Sequence, residues 1–342
     1  MSNTMRAAVV REFGQPLAIQ ELPIPKPGPG EILVEVMACG VCHTDLHAAD
    51  GDWPVKPAPP FVPGHETVGR VVALGDGVTN FKLGDNVGIA WLHDACGTCE
   101  FCITGWETLC EQQHNSGYSV DGGFAQYAIA NAAYAGRLPK EVDYAQMAPI
   151  ICAGVTTYKG IKETQAQPGQ WIAISGLGGL GHIAVQYAKA MGLRVVGLDV
   201  AQDKLDLARS LGADAAFDAR SPDAVAQVVE LTKGGAHGVL VTAVSPPAFS
   251  QALQYVRRGG TVSLNGLPPG SFPTPIFDVV LKRITIRGSI VGTRKDLAEA
   301  LDLAATGKVR PHIHRAPLDD INRVLADLKA GRVDGRVVLD LA

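Results

Sequence analysis

Trp171-Ile172-Ala173-Ile174-Ser175-Gly176-Leu177-Gly178-Gly179-Leu180-Gly181-His182 is the stretch on which the fold turns. A run suited to a buried strand enters a G-x-G-x-x-G loop, and the helical pattern Ile183 to Met191 follows. Strand, glycines and helix in that order form the context in which a dinucleotide is bound. Gly176 permits the tight turn, Gly178 lets backbone approach a pyrophosphate, and Gly181 allows close packing of helix on strand. With Gly179 and Leu180 they bring the phosphate charge to a helix N-terminus.

Working outward, strand-like runs at 171–175, 194–199, 214–217, 238–243, 260–265 and 284–289 alternate with helical stretches such as 202–211 and 223–232. This rhythm predicts a doubly wound parallel sheet with helices on both faces. Asp199 ends the second run, where a carboxylate accepts hydrogen bonds from ribose hydroxyls and repels a 2′-phosphate. No arginine follows closely, so NAD is preferred to NADP; Lys204 is placed to reach the same ribose. Helical patterns at 296–306 and 318–330 and a last strand at 335–341 close the chain. The first third differs: β-like runs at 31–37, 68–74, 85–89 and 124–130 are separated by turn signals. Pro23, Pro25, Pro27 and Pro29 exclude their segment from a central strand. A barrel or sandwich is the expectation there.

A chain of 342 residues is too long for one comfortable core, so two domains are expected. The net charge of −4 gives no electrostatic footprint for nucleic acid or an anionic membrane. No signal-peptide pattern opens the sequence and no stretch reads as a membrane span. A cytoplasmic, reducing location is the resulting expectation, and there clustered cysteines read as metal ligands.

Six of the seven cysteines, with one histidine, fit that reading in two patterns. Cys96, Cys99, Cys102 and Cys110 form C-x2-C-x2-C-x7-C, enough to close a tetrahedral, structural zinc. Cys42, within Cys42-His43-Thr44-Asp45-Leu46-His47, has His65 and Cys152 as prospective partners. Two thiolates and an imidazole leave a fourth position for water or substrate. Such a centre is a Lewis acid that acidifies what binds there. Cys39 remains, and reads as a small buried hydrophobe.

Together these residues resemble the zinc-dependent medium-chain alcohol dehydrogenases, in particular the short, tetrameric microbial type. The resemblance spans Cys42 to His47, Gly51-Asp52-Trp53-Pro54, Pro63-Gly64-His65-Glu66, the Cys96 to Cys110 loop, Gly117 to Ala125, Cys152 to Thr157, Gly176 to Gly181 and Gly335-Arg336-Val337-Val338. It implies an α/β protein with a GroES-like β-barrel catalytic domain over 1–152 and 292–342. A Rossmann NAD-binding domain would occupy 153–291. It further implies two zinc ions per chain, a homotetramer and reversible oxidation of small alcohols with hydride transfer to NAD. Cys42, His65 and Cys152 would hold the catalytic zinc, Asp45 would orient His65, and Glu66 would sit near the metal. Thr44 would take the alcohol proton and pass it toward His47. His43 and Arg336 would contact the pyrophosphate, while Thr156 and the backbone at Val291 would support the nicotinamide. Trp53 and Trp91 resemble residues that narrow the pocket toward short alcohols. Thr67 departs from the family pattern, in which glycine commonly follows Gly-His-Glu. A polyol or formaldehyde-type dehydrogenase on the same scaffold, and a non-enzymatic nucleotide sensor, are the competing readings.

Overall fold

The computed structural model describes residues 3–342. They form two compact units: one runs through Cys152 and takes back Thr293–Ala305 and Pro311–Ala342, and the other holds Ala153–Gly292 with Thr306–Arg310.

The first unit is built on a seven-stranded sheet ordered Ile313–Pro317, Arg336–Asp340, Glu31–Val41, Glu66–Leu74, Asn86–Ile89 and Gly136–Arg137, with Tyr127–Asn131 also on Glu31–Val41. Glu31–Val41 is the organising strand. Ile32, Val34, Val36, Ala38 and Cys39 are buried, and register shifts at Leu33/Val34 and Val36/Ala38 mark bulges. Bulges bend a strand and raise its twist. Its first half pairs with Tyr127–Asn131 and its second half with Arg336–Asp340 on the same side. The proline-rich segment follows Ala18–Pro23, which pairs with Thr4–Val9 in a separate two-stranded sheet. Pro23 therefore ends a peripheral strand, the position that tolerates a missing N–H.

The second unit carries six parallel strands ordered Ala215–Asp218, Arg194–Asp199, Trp171–Ser175, Ala236–Val241, Val256–Leu264 and Thr285–Gly288. Counted along the chain this is 3-2-1-4-5-6, the doubly wound order. Trp171–Ser175 is buried throughout, as a strand covered by helices on both faces must be. Order reverses beside Trp171–Ser175, so the carboxyl ends of that strand and Ala236–Val241 flank the switch point.

Some elements differ from the sequence expectation. The run expected at 238–243 begins at Ala236, directly after Gly234 and Gly235, both at positive φ. The helix expected over 318–330 opens with a 3-10 turn, Leu318–Asp320, before Ile321–Lys329. The helix His43–Asp50 and the strand Ile313–Pro317 were not anticipated.

Candidate metal centres and cofactor loop

Cys42 ends the extended backbone and caps the helix His43–Asp50. Three residues on, Asp45 returns Oδ2 to accept the Cys42 N–H at 2.8 Å, closing a capping box. Its Oδ1 accepts the Gly64 N–H at 3.1 Å and meets His65 Nδ1 at 2.9 Å. One buried carboxylate thus joins the helix start to the Gly64-His65 turn. Gly64 sits at φ +103°, and a Cβ there would lie 2.7 Å from Phe124 atoms, so the turn requires glycine. With Nδ1–H donated to Asp45, the lone pair is assigned to Nε2. Nε2 points to Cys152 Sγ, 3.2 Å away.

The ligand atoms of Cys42, His65, Glu66 and Cys152 lie within 4.8 Å of one another, and all four residues are buried. A hydrogen bond from the Cys152 thiol, aided by His65, holds the Cys42 thiol well below its ordinary value against the effect of burial. Sharing that proton, together with burial, pushes Cys152 up. Burial pulls His65 down, but Asp45 and Cys42 more than offset it and hold the imidazole well above its ordinary value. Burial pushes Glu66 up to about 7 despite the Arg336 guanidinium paired with its Oε1. Among the described residues Glu66 Oε2 and Arg336 Nε have no hydrogen-bond partner. A dry cluster of two thiols, an imidazole with its lone pair turned inward and an orphaned carboxylate oxygen is costly without an occupant. Those donors fit a zinc ion with one open position. Arg336, expected on a cofactor pyrophosphate, is 3 % exposed and is placed on Glu66.

Around the cluster, Thr44 Oγ1 lies 3.8 Å from Cys42 Sγ. His47 Nδ1 meets both Asp52 oxygens at 2.9 and 3.1 Å, and its ring stacks on Trp53. Burial holds His43 below the ordinary imidazole value, favouring its neutral form. Trp91 meets His65 edge-on with ring centroids 5.5 Å apart. Tyr118 contacts both tryptophans and donates its hydroxyl proton to the Val55 carbonyl. An aromatic wall therefore runs from His65 through Trp91, Tyr118 and Trp53 to His47. Sequence reasoning missed Tyr118, although it stands in the Gly117 to Ala125 motif. Thr67, the departure from the family pattern, is buried and packs over Gly123, where a Cβ would fall 1.9 Å from its Oγ1. The missing side chain at Gly123 leaves the room that Thr67 occupies.

The second cluster is local. Cys96, Cys99, Cys102 and Cys110 bring their sulfurs within 4.8 Å of one another. The Cys99 N–H donates to Cys96 Sγ at 3.3 Å, and Gly97 turns the chain at φ +74°. Hydrogen bonds from Thr98 and Cys99 pull Cys96 down to about 6, whereas desolvation and the neighbouring thiols push Cys102 up to about 12. Four converging sulfurs suit a closed thiolate site. Glu107, between Cys102 and Cys110, accepts from Arg294 N and Nε, both at 3.0 Å, and ties the loop to the helix Arg294–Ala305.

In the second unit the glycines divide their work. Gly176 is at φ +95°, and a Cβ there would meet Ala243 N at 2.6 Å; a Cβ at Gly181 would meet Gly176 O at 1.9 Å. Gly178 opens into space, with only Lys204 Nζ nearby, 3.9 Å from where its Cβ would be. That opening is what a pyrophosphate needs. Asp199 accepts from the N–H groups of Leu177 (2.7 Å), Val200 (2.7 Å) and Ala201 (3.1 Å). His182 Nδ1 lies 2.9 Å from Gly178 O, a support of the loop that sequence reasoning did not single out. The Thr156 carbonyl receives Asn265 Nδ2 at 3.3 Å. Val291 adopts φ +36°, an unusual conformation for a β-branched residue. Strain of that kind concentrates at ligand clamps.

Comparison with known proteins covers both units. Residues 28–140 match the family model of the alcohol dehydrogenase GroES-like domain, and residues 179–306 match that of the zinc-binding dehydrogenase. An alcohol dehydrogenase of Rhizobium meliloti is 60 % identical over 338 residues, 99 % of each chain. Among solved structures, the alcohol dehydrogenase of the archaeon Aeropyrum pernix superposes with a TM-score of 0.89 at 37 % identity, covering 98 % of this chain and 99 % of its own. An acetophenone reductase from Geotrichum candidum, solved with NAD, gives 0.87 at 32 % identity over 99 % of this chain and 98 % of its own.

Proposed function

The chain belongs to the zinc-dependent medium-chain alcohol dehydrogenases, and we propose that it oxidises small primary and some secondary alcohols reversibly, with NAD as hydride acceptor. The observation that carries this reading is the buried Cys42, His65 and Cys152 donor set beside the orphaned Glu66 oxygen. When bound, zinc supplies Lewis acidity toward the alcohol oxygen and the nicotinamide supplies the hydride acceptor.

The chain's own residues do the rest. Cys42, His65 and Cys152 hold the ion, and Asp45 keeps the His65 ring in the tautomer that donates its lone pair inward. Glu66 offers Oε2 as a transient ligand, while Arg336 balances its charge. Thr44 accepts the alcohol proton, and His47, steadied by Asp52 and Trp53, passes it to solvent. Trp53 and Trp91, joined by Tyr118, narrow the space for the substrate carbon chain. A second zinc at Cys96, Cys99, Cys102 and Cys110 is structural, giving two ions per chain.

For the cofactor, Gly176, Gly178, Gly179, Leu180 and Gly181 form the pyrophosphate turn. Asp199 and the absence of a nearby arginine favour NAD over NADP, and Lys204 completes the ribose side. Thr156 and the backbone at Val291 support the nicotinamide. The helix Ile276–Lys282 exposes Ile276, Phe277, Val280 and Leu281 beside the edge strand Thr285–Gly288. A second copy covering that face supports assembly into a homotetramer. Unpaired cysteines agree with a cytoplasmic protein, and no helix among the described residues is long and apolar enough to cross a membrane.

Steady-state reduction of NAD and NADP with ethanol, longer primary alcohols and secondary alcohols tests the reading, with zinc counted on the same sample. Ethanol turnover with NAD is the expected result. Equal turnover after the metal has been stripped from both cysteine clusters would end it.

A further inference from the structure

A third donor cluster lies outside both cysteine sites. His312, His314 and Asp334 bring one ligand atom each within 4.8 Å of one another, and all three are exposed. We propose that these residues form a surface site for a borderline divalent transition ion such as Zn²⁺, Ni²⁺ or Cu²⁺, distinct from the two zinc positions of the proposed activity.

The placement comes from the backbone. His314 lies in the strand Ile313–Pro317 and His312 immediately precedes it, so the two side chains share one face. That strand is an edge of its sheet and runs parallel to Arg336–Asp340, with Ile313 opposite Arg336 and His314 opposite Val337. The Arg336 N–H donates to the His312 carbonyl at 2.9 Å. Gly335, at φ +69°, turns tightly against that carbonyl: a Cβ there would lie 2.3 Å from the oxygen. This turn delivers Asp334 to the histidines. One hydrogen bond and one tight turn thus place the backbone of all three donors together, and their side chains reach solvent.

The spacing suits a small ion. His312 Nε2 stands 3.4 Å from Asp334 Oδ2. Two donors bound to one tetrahedral zinc at ordinary bond lengths are separated by about 3.3 Å. The His312 and His314 rings meet edge to face with centroids 5.1 Å apart, and modest side-chain rotation converges their nitrogens. Nearby guanidinium groups are engaged elsewhere: Arg332 pairs with Asp327, and Arg315 with Asp143 and Asp340. Asp334 is left facing His312. Two imidazoles and a carboxylate match the borderline ions and disfavour Ca²⁺ or Mg²⁺, which require more oxygens. Water would complete the sphere, so the ion exchanges freely, unlike one enclosed by thiolates.

The test is calorimetric titration of Ni²⁺ into untagged protein carrying its resident metal, with total zinc measured before and after. The expected result is one added Ni²⁺ per chain at micromolar affinity, with resident zinc unchanged. His314→Ala and, separately, Asp334→Asn should each weaken that event by about tenfold or more. Both positions are exposed, and unchanged resident zinc verifies that the variants are folded. No added equivalent in the wild type, or undiminished binding in His314→Ala, overturns the proposal. Loss of resident zinc binding in the wild type would instead count against the dehydrogenase reading and leave the Ni²⁺ event readable.

Discussion

The four-cysteine loop gathers its donors between Cys96 and Cys110, while the other centre draws Cys42, His65 and Cys152 from three separate parts of the first unit. Three of the loop's cysteines are only partly buried; every donor of the dispersed cluster is buried. Locality makes the first site nearly independent of the fold, since a short loop with one tight turn suffices. The second site exists only after the Glu31–Val41 sheet has formed and Asp45 has tied Cys42 to the Gly64-His65 turn. A local site stabilises what it is part of. A dispersed one is preorganised by structure already there, which lets it keep an open position for chemistry.

The strongest way to break this contrast is to remove one thiolate from each. Cys42→Ala should lower turnover with ethanol by roughly a thousandfold or more, the scale of losing a principal electrostatic stabiliser. Its thermal midpoint should move little, and NADH binding, read by fluorescence, should survive because the glycine loop is untouched. Retention of wild-type turnover would refute the assignment of the dispersed cluster as the reactive one. Cys102→Ser should reverse the pattern. A structural zinc contributes its binding free energy to folding, and removing one thiolate weakens that contribution. The variant should lose thermal stability while turnover per folded molecule stays near wild type.

The same contrast explains what could be read in advance. The spacing Cys96-x2-Cys99-x2-Cys102-x7-Cys110 and the Trp171 to Gly181 run are local patterns, and the strand rhythm after 171 follows from apolar runs alone. The dispersed site gave no spacing; only the polar crowd after Cys42 and the family resemblance pointed to it. Arg336 and Glu66 are 270 positions apart in sequence, and nothing in one chain announces such a pair. Tyr118 was invisible because a wall-forming aromatic looks like any core aromatic. Ile313–Pro317 escaped because His312, His314 and Arg315 give that edge strand no apolar alternation. Asp199 illustrates the intermediate case: its position after the second strand was legible, but its three backbone hydrogen bonds were not.

Asp45 sharpens the account of preorganisation. In Asp45→Asn the amide oxygen can still accept from His65 Nδ1 and Gly64, but its NH₂ then faces the Cys42 N–H, donor against donor. The capping bond is lost and the imidazole is less firmly held. Turnover or zinc affinity should fall by about 10–100-fold, less than in Cys42→Ala because the ligands remain. Zinc content under a competing chelator and the ethanol rate should move together. A fall in rate with chelator resistance unchanged would place Asp45 in the reaction itself and not in holding the ring.

Glu107 gives the smallest effect and tests the anchoring of the local loop. Burial pushes its carboxyl up, but the Arg294 backbone N–H and guanidinium more than offset this and hold it below its ordinary value of 4.5. A depressed folded value means the unfolded chain binds the proton more readily. The pair's stabilisation is therefore complete above the unfolded value and fades as pH falls through the folded one. Glu107→Gln should cost about 1–2 kcal/mol at neutral pH, the scale of a charge-assisted hydrogen bond. The two proteins should converge in denaturant midpoint as pH falls below 4.5 and through the lowered folded value. Comparing the difference between variant and wild type cancels the acid sensitivity that both share through the thiolates. A gap that stayed constant from neutral to acid pH would mean that side-chain packing, and not the charge on Glu107, joins the cysteine loop to the helix Arg294–Ala305.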